Sequence, residues 1–502
     1  MNLSRIIGRQ AGLTPERCAI HYHGENLSYA ALWRRIEAAT TVLRERFGVQ
    51  PGERIAWLGL NHPDFIAFLM ALARLGAIAV PLNLRLAPME LSAILTHSGA
   101  RLLLCDKTLR GSGVAAAQSA GISLESSSAF GEIAQSLVPQ GFPGNDSGGD
   151  AGSDESPVLI VYTSGTTGKP KGAVHTQANL LWNIESAVDA QGISAHDHLL
   201  NVLPMFHVGG LCIQMLPVLS QGGTVTLHAR FDPAAWIADV AARRPTLSLL
   251  VPATLKAILD HPDWPAADLS SLRFINTGSS AIPRALIDAV HARGVPVSQV
   301  YGATETGPVS IVLRPEDAEA KAGSAGKPAL HVEVRLVTPD GVDCVEGETG
   351  EIWIRGKNVV AGYWNDPGNN AFAGGWFHSG DLAYCDEDGF YWVVGRSRDM
   401  IISGGENIYP AEIENILADC AAIAEAAVIG AADEKWGEVA VAVIVRKPGA
   451  ELDAAAVMQL FEGRIARYKL PRRVVFAGEL PKTALGKVKK DELCRLLGLT
   501  QT

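Results

Sequence analysis

Tyr162-Thr-Ser-Gly-Thr-Thr-Gly-Lys-Pro-Lys171-Gly172 is the stretch that decides the fold of this chain. It brings three glycines, four hydroxyl residues and two lysines together in a short span. An apolar run at 158–161 precedes it and predicts a buried strand. Glycines let backbone N–H groups turn toward an anion, hydroxyls add donors, and lysine adds positive charge. The stretch therefore predicts a loop that grips a polyphosphate.

The spacing of the glycines separates this loop from the P-loop of kinases and GTPases. Only two residues lie between Gly165 and Gly168, whereas the P-loop pattern requires four. The following residues, 173–175, have the character of a strand and not of a helix. By composition alone, such a run is also typical of a flexible surface loop. Other segments of the chain have to decide between the two interpretations.

Four such segments follow along the chain: Tyr301-Gly-Ala-Thr-Glu-Thr-Gly307, Trp376-Phe-His-Ser-Gly-Asp-Leu382, Gly395-Arg-Ser-Arg-Asp-Met-Ile-Ile-Ser-Gly-Gly-Glu-Asn-Ile-Tyr-Pro410 and Pro481-Lys-Thr-Ala-Leu-Gly-Lys487. Together with the first stretch, they resemble the ordered motifs of the acyl-adenylate-forming (AMP-binding) superfamily. Acyl-CoA synthetases, aryl-CoA ligases, luciferases and adenylation domains belong to that superfamily. The resemblance covers nearly the whole chain. It implies that a carboxylate and ATP form an acyl-adenylate and pyrophosphate, and that a thiol then displaces AMP.

Length, charge and cysteine content narrow the class of protein. A chain of 502 residues is too long for one hydrophobic core, so two or more domains are expected. The net charge of −10 argues against nucleic acid as a partner. Seven scattered cysteines, no secretory leader and no run of about 20 apolar residues predict a cytoplasmic protein without a transmembrane segment. A homodimer is one oligomeric state that the sequence leaves open.

Helical and strand patterns alternate through most of the chain and predict an α/β fold. The expected architecture is a large multi-layer α/β domain at 1–397, closed by a small β-barrel or sheet from about residue 332. A small mobile α+β domain at 398–502 follows, with a hinge near Arg398. Residues 111–156 are expected to form a loosely ordered connection with one short helix. A longer helix is expected over 453–467.

The resemblance implies roles for individual residues of the adenylation site. Lys487, Thr304, Glu305 and His207 are the expected catalytic residues, and Glu305 is also the expected Mg²⁺ ligand. Asp381 and Arg396 would bind the ribose hydroxyls, and Tyr301 would stack on adenine. The full expected nucleotide site comprises Thr163, Ser164, Gly165, Thr166, Thr167, Gly168, Lys171, Gly278, Ser279, Ser280, Tyr301, Gly302, Thr304, Asp381 and Arg396.

The same resemblance implies an acyl pocket and a coenzyme A site. The expected acyl pocket is lined by small or apolar residues beside one histidine: His207, Val208, Gly209, Gly210, Ile213, Val300 and Pro308. The paired glycines are expected to leave room for a ring or a chain. Rotation of the small domain about Arg398 would bring a second face to the site for coenzyme A. That face would include Gly404, Gly405, Trp436, Tyr468 and Lys469.

The predicted substrate is a hydrophobic monocarboxylate, because burying a second carboxylate without a cation costs several kcal/mol. Malonate-activating relatives have arginine where Val300 precedes Tyr301. Aromatic acids and medium- or long-chain fatty acids both stay open. The alternatives are an enzyme that loads a carrier protein, a malonate-type short-chain synthetase, a luciferase-like oxygenase and a catalytically silent nucleotide-binding protein. ATP, Mg²⁺ and coenzyme A are the implied cofactors and co-substrates.

Overall fold

The structure is a computed structural model that describes residues 2–136, 150–164, 170–279, 282–403, 406–433, 436–462, 464–465, 467–483 and 486–499. The helices within these ranges are α1 (Arg5–Leu13), α2 (Tyr29–Thr41), α3 (Pro63–Leu75), α4 (Pro88–Ser98), α5 (Arg110–Ala120), α6 (Ser127–Ser136), α7 (Gln177–Gln191), α8 (Val208–Cys212), α9 (Met215–Ser220), α10 (Pro233–Arg243), α11 (Pro252–Leu259), α12 (Arg284–His291), α13 (Pro410–Ala418), α14 (Ala454–Gln459) and α15 (Lys490–Leu496).

The strands up to residue 328 are β1 (Cys18–Tyr22), β2 (Glu25–Ser28), β3 (Arg54–Leu58), β4 (Ile78–Pro81), β5 (Leu102–Cys105), β6 (Ser123–Ser126), β7 (Pro157–Ser164), β8 (Pro170–Thr176), β9 (His198–Asn201), β10 (Thr224–Leu227), β11 (Leu247–Leu250), β12 (Phe274–Gly278), β13 (Val297–Tyr301), β14 (Ile311–Leu313) and β15 (Lys327–Pro328). The later strands are β16 (Val332–Val337), β17 (Gly350–Gly356), β18 (Phe377–Cys385), β19 (Tyr391–Arg396), β20 (Ile401–Ser403), β21 (Glu406–Ile408), β22 (Ile423–Asp433), β23 (Gly437–Arg446) and β24 (Arg473–Ala477).

Two mainly parallel sheets form the body of the molecule. One has the order β6-β5-β3-β4-β7-β8, and the other has the order β15-β14-β13-β12-β11-β9-β10-β1-β2. Antiparallel pairing occurs only toward their edges, at β7–β8, β13–β14, β14–β15 and β1–β2. The strands between are joined through helices, as parallel neighbours require. This confirms the predicted multi-layer α/β domain.

Helix α3 explains how the two sheets share one core. Every one of its residues is buried, because its sequence is apolar on all sides and not on one stripe. The same hydrophobic cluster contains Phe68 of α3, Ile55 of β3 and Leu199 of β9. The two sheets are therefore packed into a single unit, which holds loops from both of them at fixed distances.

A four-stranded antiparallel sheet, β16-β17-β18-β19, completes the large unit. The sequence predicted a small barrel or sheet here, and the structure has the open sheet. Beyond it, β20 to β24 form a separate sheet on which α13 packs. Pro410 occupies the first turn of α13, as predicted. Among the described residues, no helix has the length and apolar character needed to cross a membrane.

Two local predictions were wrong. Residues 110–136 are not a loose connection with one helix but form α5, β6 and α6; residues 137–149 lie outside the described residues. Gly113 lets α5 lie against β5, since a Cβ there would lie 2.5 Å from Cys105 Sγ. The helix predicted over 453–467 ends at Gln459, because the N–H groups of 460 and 461 bond three residues back and tighten the chain into turns.

Candidate active site

The predicted phosphate loop stands between two antiparallel strands. Strands β7 and β8 pair in antiparallel register, with Thr163 opposite Lys171. The Thr163 hydroxyl donates to the Lys171 carbonyl oxygen at 3.4 Å. Gly165, Thr166, Thr167 and Gly168 lie outside the described residues, and for Ser164 only the backbone is described. The hairpin confirms the extended conformation predicted on both sides of the loop.

Glu305 lies in a single turn of 3-10 helix, Thr304–Thr306, directly after β13. Two hydrogen bonds to Thr306 hold this turn in place. Ala303 N–H donates to the Thr306 hydroxyl at 2.9 Å, and Asn358 Nδ2 donates to the Thr306 carbonyl at 2.5 Å. Glu305 itself is 8% exposed. Burial raises the pKa of its carboxyl, while a hydrogen bond from Tyr363 opposes that shift. Thr304 beside it is half-buried.

Tyr301, Asp381 and Arg396 meet although they come from three different strands. The Tyr301 hydroxyl donates to Asp381 Oδ2 at 2.8 Å, and Arg396 Nε lies 3.0 Å from Asp381 Oδ1. Asp381 and Arg396 are direct partners across β18 and β19. Burial, followed by the charge of Asp381, raises the pKa of the Tyr301 hydroxyl. Both predicted ribose-binding residues therefore lie beside the predicted adenine-stacking ring.

Two of the predicted nucleotide-binding residues, Gly278 and Ser279, lie at the end of β12. Gly278 pairs with Val300 in the neighbouring strand, and a Cβ at Gly278 would lie 2.8 Å from the Val300 carbonyl oxygen. Ser279 adopts a left-handed backbone with φ of 72°. At Gly302, a Cβ would lie 1.7 Å from the Pro308 carbonyl oxygen, so only glycine fits. Ser280 lies outside the described residues.

Lys487 reaches the same region from the C-terminal unit. Its loop is closed by Thr483, whose N–H donates to the Lys487 carbonyl at 2.7 Å and whose hydroxyl accepts from the Lys487 N–H at 3.1 Å. The loop packs against α11 of the large unit, since a Cβ at Gly486 would lie 3.2 Å from the Ala253 Cβ. The loop thus contacts the large unit beside the site.

Charged groups near Lys487 change the pKa of its ammonium group. Solvent reaches part of this side chain, yet desolvation by surrounding atoms lowers its pKa, and the positive charge of Arg396 lowers it further. Asp381 and Asp399 oppose this shift. Lys487 therefore lies within electrostatic range of the Asp381–Arg396 pair.

These contacts join the predicted nucleotide residues into one site. Glu305 responds electrostatically to both Arg396 and Lys171. Among the described residues, no group of three or more His, Cys, Asp or Glu could hold a metal ion. A buried carboxylate within electrostatic range of Lys171 fits Mg²⁺ that arrives with a nucleotide, because Mg²⁺ commonly uses one or two carboxylates together with phosphate oxygens.

His207 directly precedes helix α8, and none of its contacts among the described residues involves Glu305, Asp381 or Lys487. Burial, followed by the charge of Arg85, lowers the pKa of its imidazole to about 4, and its Nε2 has no hydrogen-bond partner among the described residues. The predicted pocket residues around it, Val208, Ile213, Val300 and Pro308, are buried. The pocket residues predicted from the sequence include no arginine. In the structure, however, Arg85 lies close to His207, in the loop before α4.

The paired glycines of the predicted acyl pocket differ from each other. A Cβ at Gly209 would meet nothing within 4 Å, so this residue leaves open space. A Cβ at Gly210 would lie 2.4 Å from the Pro204 carbonyl oxygen. The expectation that both glycines enlarge the pocket was therefore wrong for Gly210, which is needed for the close turn into α8.

The residues predicted to contact coenzyme A lie together in the C-terminal unit but have local partners. Lys469 forms an ion pair with Glu412 at 2.5 Å, and the Arg472 guanidinium lies 5.2 Å from the centre of the Trp436 ring. Trp436 and Tyr468 are 37% and 40% exposed. Gly404 and Gly405 lie outside the described residues. Arg398 lies in the turn Ser397–Asp399 that joins the two units.

Sequence reasoning missed Tyr363 and two buried glutamines, Gln191 and Gln214. Gln191 Oε1 accepts hydrogen bonds from Asn276 at 3.0 Å and Gln214 at 2.9 Å, while Gln191 Nε2 donates to the Ile213 carbonyl. All three side chains are buried. No local pattern predicts that these amides meet, because their contact depends on the packing of α7, β12 and the residue that precedes α9.

The fold and site define an α/β protein of two units, in which Lys487 of the small C-terminal unit lies near Asp381 and Arg396 of the large unit. Residues 7–364 match the AMP-binding enzyme family, and residues 412–487 match the AMP-binding enzyme C-terminal domain. The chain belongs to the AMP-binding enzyme family.

Individual relatives cover almost the whole chain. It is 47% identical to an indoleacetate–CoA ligase of Aromatoleum aromaticum, over 99% of this chain and 98% of the relative. It is 41% identical to a feruloyl-CoA synthase of Amycolatopsis, over 98% of each. The structure of O-succinylbenzoate coenzyme A synthetase from Bacillus subtilis, in complex with ATP and magnesium ion, is 32% identical and superimposes with a TM-score of 0.85 over 97% of this chain and 98% of that one.

Proposed function

We propose that the protein is an ATP-dependent, AMP-forming acid–CoA ligase whose substrate is an aromatic monocarboxylate. The observation that carries the activity is that Glu305 and Lys487 both lie within electrostatic range of Arg396, which pairs with Asp381. The two relatives named for indoleacetate and ferulate support an aromatic acid over a fatty acid. The apolar surroundings of Val208, Ile213 and Val300 support a substrate with one carboxylate.

The first half-reaction needs positioning and charge. A carboxylate oxygen attacks the α-phosphorus of ATP, and the bond to pyrophosphate breaks. Lys487 would neutralise the charge that develops between the acid and the α-phosphate, and Thr304 would donate to the same phosphate. Glu305 would hold Mg²⁺, which supplies charge neutralisation on the phosphate oxygens. Asp381 would accept the ribose hydroxyls beside the Tyr301 ring.

The second half-reaction transfers the acyl group to coenzyme A. The thiolate sulfur attacks the acyl carbon, and the bond to AMP breaks. Trp436, Tyr468 and Lys469 would form the face that receives coenzyme A, together with Gly404 and Gly405. Lys469 pairs with Glu412 and Trp436 lies beside Arg472, all within the small unit, whereas Lys487 lies near Asp381. This arrangement supports a rotation of the small unit between the half-reactions.

We also propose that the rotating unit begins at Arg398, so that 1–397 and 398–502 are the two domains. Two hydrophobic clusters of the small unit use only residues from 401 onward, and the clusters of the large unit end at 393. The turn Ser397–Asp399 lies in this gap. A cytoplasmic location stays a prediction, consistent with seven free cysteines.

Pyrophosphate release and CoA thioester formation, measured with purified protein and ATP, test the proposal. Indoleacetate, ferulate, a medium-chain fatty acid and malonate form the substrate series. We expect the highest kcat/KM with an aromatic acid and none with malonate. A higher value for the fatty acid would overturn the substrate class. Activity with malonate would indicate that Arg85 pairs with a second carboxylate, and absence of AMP formation with every acid would overturn the ligase itself.

A further inference from the structure

Tyr363 lies in the segment after β17 and belongs to none of the groups assigned above. We propose that it is a positioning residue, which holds the Glu305 carboxylate in the orientation needed to bind a metal–nucleotide complex. The inference rests on the nucleotide site of the proposed function. It is carried by the way in which one short segment, 360–364, holds both Glu305 and the strand that bears Lys171.

The backbone of this segment joins the phosphate hairpin to the Glu305 turn. Tyr363 forms an isolated antiparallel bridge with Ala173 of β8. On either side, Trp364 N–H donates to the Gly172 carbonyl at 2.7 Å, and Val174 N–H donates to the Gly362 carbonyl at 3.3 Å. The segment therefore forms a short extra strand beside the residues that follow the loop.

The same segment holds Glu305 at two points. Val360 N–H donates to the Glu305 carbonyl oxygen at 2.9 Å. The Tyr363 hydroxyl donates to Glu305 Oε1 at 2.6 Å. Because both the backbone and the carboxylate are held, the side chain of Glu305 is restricted in rotation as well as in position.

The ring of Tyr363 lies beside the cation of the phosphate hairpin. Lys171 Nζ lies 5.1 Å from the ring centre, within the range of a cation–π interaction. Phe372 packs against the same ring in a T-shaped arrangement, with the centroids 5.3 Å apart. Tyr363 thus contacts the cation with its ring and the anion with its hydroxyl.

A tyrosine suits this position because its hydroxyl is a single donor. It uses one of the roughly four lone-pair sites of the carboxylate, so acceptor capacity is left for a divalent cation. Hydrogen bonds from outside the ligand sphere orient ligating carboxylates, and losing one costs about 10- to 100-fold in metal affinity or activity. A purely structural tyrosine would affect folding without this selectivity for the metal complex.

Binding of Mn²⁺·ATP in the absence of any acid, followed by electron paramagnetic resonance, tests the inference without turnover. We expect Tyr363→Phe to weaken Mn²⁺·ATP binding about 10- to 100-fold. Binding of metal-free AMP to the same variant should stay within about twofold of the wild type. Tyr22→Phe is the matched control, because Tyr22 lies in β1 and lacks any contact with the nucleotide residues among those described; it should change neither value.

Two further variants connect the effect to Glu305. In a Glu305→Gln background, adding Tyr363→Phe should cause no further loss of Mn²⁺·ATP affinity. Phe372→Leu keeps the hydroxyl but loosens the ring, so it should give a smaller loss with the same selectivity. This variant also serves if Tyr363→Phe does not fold.

Three results would overturn the inference: unchanged Mn²⁺·ATP affinity in Tyr363→Phe, an equal loss for metal-free AMP, or additive losses in the Glu305→Gln background. A wild-type protein that binds neither nucleotide would overturn the proposed function as well. A wild type that binds both, beside an unaffected Tyr363→Phe, would overturn only the role of Tyr363.

Discussion

Glu305 and Lys487 have opposite charges and belong to the same proposed site, but they differ in burial and in the contacts that hold them. Glu305 is buried in the large unit, where its turn is fixed by Asn358 and its carboxylate by Tyr363. Lys487 stands on a solvent-exposed loop that is closed mainly by its own residues and contacts α11 through Gly486. A group that binds the nucleotide benefits from rigidity, whereas a group that acts in one half-reaction has to leave in the next. The difference supports the proposal that the large unit binds the nucleotide and the small unit supplies a catalytic group.

The largest expected effect comes from Lys487, and its absence would contradict this division of roles between the two units. Lys487→Ala removes the mobile charge, so pyrophosphate release should fall by about 10²- to 10³-fold. Thioester formation from supplied acyl-adenylate should fall less than about threefold, because that step does not use the ammonium group. Both rates are measured on the same preparation. Lys489→Ala, which removes a neighbouring lysine paired with Glu492, is the control and should leave both rates unchanged.

The second effect concerns the fixed side of the site. Asp381→Ala leaves Tyr301 and Arg396 without their shared acceptor, so the KM for ATP should rise about 10- to 100-fold, as expected for lost hydrogen bonds to a charged group. The KM for the acid should change much less. Steady-state kinetics with each substrate varied in turn measure both values. Equal increases would remove Asp381 from the nucleotide site; Asp343→Ala, at an exposed ion pair with Arg335, is the control.

Low pH should lower the free energy of unfolding of the large unit more than that of the C-terminal unit. All 13 histidines lie before residue 398, and burial lowers the pKa of His175 to about 4, below an ordinary value of 6.5. Between these values the unfolded chain binds more protons, so the free energy of unfolding falls as the pH drops below about 6.5. From pH 7 to pH 5, His175 alone should cost about 2 kcal/mol.

Denaturant unfolding at both pH values measures this loss. His175→Leu should reduce the difference between pH 7 and pH 5 by about that amount. Tryptophan fluorescence of the large unit should show the shift, while Trp436 reports on the C-terminal unit, which lacks histidine. An equal acid shift in both units would contradict the assignment to buried histidines.

The smallest expected effect concerns the two glycines of the predicted acyl pocket in the large unit. Gly209→Val fills space that is open in the structure, and we expect roughly a tenfold lower kcat/KM for a bulky aromatic acid, with little change in unfolding temperature. Gly210→Ala should instead lower the unfolding temperature, because its Cβ would press on the Pro204 carbonyl. The reverse pattern would show that Gly210, and not Gly209, borders the acid.

The predicted elements of the site were those with local signals. The hairpin around the phosphate loop follows from an apolar strand and glycine-rich turn, and Pro410 marks the start of α13. Asp381 and Arg396 could be named from their motifs, but their pairing depends on the register of β18 and β19. Tyr363 has no motif of its own in a single sequence. Its role follows from a bridge to Ala173 and a contact with Glu305, residues far away along the chain.

The sequence by itself determined the family, the α/β alternation and the residue types that handle phosphate and carboxylate, since these depend on local order and spacing. Only the tertiary structure decided that Gly113 lies within a helix, that Gly210 packs against the Pro204 carbonyl, and that Tyr363 contacts both Lys171 and Glu305. These outcomes depend on which distant surfaces come within a few ångströms of each other. That information belongs to packing and not to spacing along the chain.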